Sequence, residues 1–189
     1  MSAGGTTSNI QIGPGRLYVA PVGTAFPISA SAAIPSAFWS LGYTEDGSTI
    51  TLDITRAPVI VAEELDPVDY VNAARIIKLI VNLAEVTKKR LAMSLAMGVG
   101  YLDDAAYLDF PDATTPAIGI CAIWDSAEDP TDLTLDNRRW CFSKMLPSGP
   151  IAITRKKSPA KASLPIELDA VKVTGLPLVR VFPNSHGLV

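Results

Sequence analysis

The chain has 189 residues, of which 48% are hydrophobic and only 19% charged; 16 Lys and Arg face 19 Asp and Glu for a formal net charge of −3. That balance excludes tight, unspecific binding to a nucleic acid backbone, which needs clustered cations. No run reaches the roughly 18 consecutive apolar residues of a membrane-spanning helix. Charge is sparse against the roughly 25% usual for soluble domains, and the mean hydropathy is +0.27. Surface-to-volume scaling limits the core that such a length can enclose, so much of the apolar surface is expected to be covered by other subunits.

Met1 to Gly15 is rich in Gly, Ser and Thr and reads as a flexible arm preceding a single domain over 16–189. Its small polar start, Met1 to Asn9, lacks the basic and apolar regions of a signal peptide, so assembly in a cytoplasm is expected. Leu17 to Ala20 is predicted as a short strand, closed by Pro21-Val22-Gly23. Thr24 to Ala37 is predicted as an irregular loop, and Phe38 to Tyr43 as the start of a strand. Asp46-Gly47 carries the signal of a tight turn. Ile50, Leu52 and Ile54 alternate with Thr and Asp, the period of a half-buried strand. Pro58 is expected to interrupt it, leaving an excursion over Arg56 to Tyr70 with an acidic middle (Glu63, Glu64, Asp66).

Ala74 to Leu83 is the longest β-like run, with Ile76 and Ile80 facing away from Ile77, Leu79 and Val81. A strand apolar on both faces needs cover on both. Asn82 and Glu85 resemble a capping box, and Glu85 to Met97 is predicted as a helix ended by Gly98, wedged between its own sheet and a neighbouring surface. Further strands are predicted at Ala117 to Trp124, Arg139 to Met145, Ile151 to Thr154, Ala162 to Leu168 and Leu178 to Phe182. The fold class expected is mainly β with one helix, and the fifteen prolines suit short strands with pinned turns.

No catalytic constellation emerges. The sole histidine, His186, lies in a loose Pro-Asn-Ser-His-Gly tail with nothing to hold it as a general base. Gly98-Val99-Gly100 lacks the rest of a phosphate-binding loop. Asp103, Asp104, Asp109 and Asp112 form one acidic cluster, and Asp125, Glu128, Asp129, Asp132 and Asp136 another. Counted from Asp125, the sixth position is Pro130 where a calcium loop needs Gly, so both clusters read as solvated loops. Cys121 and Cys141 sit in apolar strand contexts and read as small buried hydrophobes, with a disulfide between neighbouring strands as the alternative, which a reducing compartment disfavours. The basic turn Arg155, Lys156, Lys157 and Lys161 lacks an aromatic for base stacking; it reads as a solvated hairpin tip, with an acidic loop of another subunit and, after it, DNA as the alternative partners. No cofactor and no metal is expected.

Gly15-Arg16-Leu17-Tyr18-Val19-Ala20-Pro21-Val22-Gly23-Thr24 followed by Trp39-Ser40-Leu41-Gly42-Tyr43-Thr44-Glu45-Asp46-Gly47 resembles the start of siphophage major tail proteins, the tail tube family. The order continues with a strand and long loop, a strand leading into one helix, and closing strands, over most of residues 13 to 168. The resemblance implies a β-sandwich or barrel-like fold with a flanking helix, in a structural virion protein rather than an enzyme. Its hexameric rings would stack into a tube around the tape measure protein, and strands of six subunits would close one inner barrel through which DNA passes without specific binding. Tail terminator and distal tail proteins would be further partners. On that reading Glu63, Glu64 and Asp66 reach an adjacent ring and meet Arg155, Lys156, Lys157 and Lys161. The competing expectations are a tube or terminator protein of a contractile tail, a β-sandwich enzyme and a secreted adhesin.

Overall fold

The computed structural model describes residues 15–30, 32–42, 44–60, 66–95, 97, 112, 114, 116–126, 138–153 and 163–182. They form a mainly β protein with one short helix. The strands are β1 (Gly15–Pro21), β2 (Trp39–Ser40), β3 (Thr44–Val59), β4 (Asp69–Leu83), β5 (Ile120–Ser126), β6 (Arg138–Pro147), β7 (Leu164–Ala170) and β8 (Val179–Phe182); α1 (Lys88–Ser94) lies between β4 and β5. All strand pairs are antiparallel, in the order β2-β1-β5-β6-β7-β4-β3.

The sheet forks at β6. Its first half pairs with β8, Phe142 opposite Val179, while its last residues pair with β7, Met145 opposite Ala170. Segment 171–178 bridges the fork: the Val171 N–H donates to the Lys144 carbonyl (2.9 Å), and the Ser143 hydroxyl donates to the Pro177 carbonyl (2.6 Å). The β1 and β3 sides of the sheet approach one another, so that the Thr44 hydroxyl at the start of β3 donates to the Gly15 carbonyl of β1 (3.4 Å). Gly15 is required there, because a Cβ would stand 1.8 Å from the Trp124 ring.

Alternation builds the main core between these two sides of the sheet. Leu17 and Val19 of β1, Ala122 and Trp124 of β5, and Phe142 and Met145 of β6 face Leu79, Val81 and Leu83 of β4 and Leu164, Ile166 and Leu168 of β7. Each fully buried side chain of this size contributes about 1.5–3 kcal/mol. The alternate residues of β1, β5 and β6 (Ala20, Cys121, Ile123, Cys141) form a second cluster on the outer face, roofed by Phe26, Ile34 and Phe38 from the loop after β1.

Several expectations change. Asp46-Gly47 does not reverse the chain; it lies inside β3, where the register against β4 slips between Thr44 and Ser48, so the glycine is absorbed as a bulge. Pro58 does not end the strand but pairs opposite Tyr70, tolerated because β3 is an edge strand whose outer side needs no donor. The excursion from Arg56 is therefore a continuation of the β3–β4 hairpin. The helix is shorter than expected: Asn82 is still in β4 opposite Pro165, and the cap is Thr87, whose side chain accepts from the Arg90 N–H. Gly98 lies outside the described residues. Ile151 packs against the core, but 151–153 join no strand. The strand expected from Ala117 begins at Ile120, and Phe38 to Tyr43 contributes two strand residues.

Candidate assembly surface

The β3–β4 hairpin belongs to the core for half its length only. Along β4, Ile77, Leu79, Val81 and Leu83 are buried at alternate positions, whereas Asp69 to Ile76 are exposed without exception. The cross-strand partners carry the core face outward: Ile50 opposite Leu79 packs on the core, Leu52 opposite Ile77 is 53% exposed, and Ile54 opposite Arg75 is 44% exposed. On the other face Ile76, opposite Asp53, is half open to solvent, and farther out Tyr70, Val71, Val68 and Ile60 are all exposed. The outer edge of β3 pairs with no other described strand. Its backbone donors and acceptors, with apolar side chains around them, form a template for another chain.

The opposite face of β3, β4 and β7 is polar where it crosses the body. Register places Asp53 beside Ile76, Thr51 beside Lys78 and Asp169, and Thr49 beside Ile80 and Glu167. The Lys78 ammonium is 3.2 Å from Glu167 and 3.9 Å from Asp169, so one cation serves two carboxylates, and Asp169 Oδ1 is buried without a hydrogen bond. Three carboxylates against one ammonium leave this face acidic.

Next to the β1 turn lies a notch of about 350 Å³ lined by Pro21, Val22, Ala117, Ile118, Gly119 and Lys144. Val22 and Ile118 are exposed. The Lys144 stem lies over Gly119, where a Cβ would stand 2.6 Å from Lys144 Cε. No described carboxylate pairs with Lys144.

Of the residues that the sequence singled out as contacts, Asp66 is exposed near the end of the hairpin. Glu63, Glu64, Arg155, Lys156, Lys157 and Lys161 lie outside the described residues, as do His186, Asp103, Asp104, Asp109, Glu128, Asp129, Asp132 and Asp136. Asp125 is not a free acid of a solvated loop but the partner of Arg139, whose guanidinium spans Nε to Oδ1 (3.1 Å) and Nη2 to Oδ2 (3.2 Å). The same guanidinium donates to the Ser29 carbonyl (3.2 Å) and to the Ala32 carbonyl, tying the roofing loop to the sheet. Sequence reading missed this clamp, because nothing local marks Arg139 as buried.

Cys121 and Cys141 are free and share the second cluster. Burial pushes both thiols up to about 12, with the neighbouring Cys141 adding to the rise at Cys121; neither is poised as a nucleophile. No group of three or more His, Cys, Asp or Glu among the described residues is placed to hold a metal ion. Neither any family model nor any curated protein matches the chain.

Proposed function

We propose that this chain is a structural, self-assembling protein, the tail tube subunit of a long-tailed bacteriophage, whose hexameric rings stack around a tape measure protein and later conduct DNA. One observation carries the reading: a long hairpin leaves apolar side chains uncovered on both faces and an open strand edge beyond them. Such a surface is stable in water when copies of the same chain cover it. Closing the sheets of several copies into one barrel removes every open edge at once.

The polar face of β3, β4 and β7 then lines the conduit. Asp53, Glu167 and Asp169 outnumber Lys78 there, and an acidic wall repels phosphate, so DNA slides without adhering. A ring of six copies repeats this excess six times, in keeping with the net charge of −3 per chain. Glu63, Glu64 and Asp66 of one ring meeting Arg155, Lys156, Lys157 and Lys161 of the next remains part of the proposal. The capping partners are tail terminator and distal tail proteins.

Negative-stain microscopy and sedimentation velocity over rising protein concentration test the reading. Rings or tubes, with sedimentation that grows with concentration, are the expected result. A chain that sediments as a monomer at the highest concentration refutes it.

A further inference from the structure

We draw no further inference here: the strongest candidate, the notch beside β1 where Val22 and Ile118 stand exposed next to Lys144, carries nothing, because nothing among the described residues shows what covers it.

Discussion

The first strands of the sheet and the β3–β4 hairpin are built from similar alternating sequence but meet opposite fates. β1, β5 and β6 are covered on both faces, by the main core on one side and by the loop carrying Phe26, Ile34 and Phe38 on the other. The hairpin beyond Ile77 is covered on neither. The same β-branched and aliphatic content therefore stabilises the monomer in one region and contributes little to it in the other. What separates them is a roof: among the described residues a tethered loop covers β1, β5 and β6, and none covers the outer hairpin.

That contrast can be broken in the covered region. Phe142→Ala empties a fully buried site and is expected to cost about 3–5 kcal/mol in urea unfolding. Arg139→Ala leaves Asp125 uncompensated and frees the roofing loop, for a similar cost of about 3–5 kcal/mol; a loss well below 1 kcal/mol would mean that the clamp holds nothing.

The thiols sharpen it further. Their folded values near 12 lie above the ordinary 9.0, so below about pH 9 both states keep their protons and the contribution is whole. As pH rises toward 12 the unfolded chain releases protons that the folded chain retains, and stability falls. Replacing both cysteines with Ala should flatten that alkaline slope. Native protein at pH 8 should also resist a thiol reagent that labels the unfolded chain quickly.

The smallest effect on folding is expected in the uncovered region. Leu52→Ser with Ile54→Ser should change monomer stability by less than about 1 kcal/mol, as surface substitutions do, yet abolish assembly in sedimentation. Large destabilisation of the monomer by this pair would erase the distinction between the two regions.

Much of the fold was legible because it is periodic. Leu17 to Ala20, Ile50 to Ile54 and Ile77 to Leu83 announce strands by alternation, and the opposed faces of Ile76 and Ile77 are as the pattern implies. The failures are non-local. Asp46-Gly47 is a turn by local chemistry, but the long ladder with β4 holds the chain straight and reduces it to a slip in register. Asn82 can cap a helix in isolation, but pairing opposite Pro165 keeps it in the sheet and hands the cap to Thr87.

The candidate assembly surface was half legible. An excess of apolar residues over charge pointed to covered surface, but which strands lack cover depends on where the roofing loop ends. The Lys144 notch had no signal at all, since it is made by residues from three separated stretches of the chain.

One guanidinium holds the roofing loop down: Arg139 donates to Asp125 of β5 and to the Ser29 and Ala32 carbonyls of the loop. Beneath that loop lie both thiols. Lifting the roof would therefore uncover Cys121 and Cys141 in one event, and the rate at which a thiol reagent reaches them would time a local opening that leaves the main core shut.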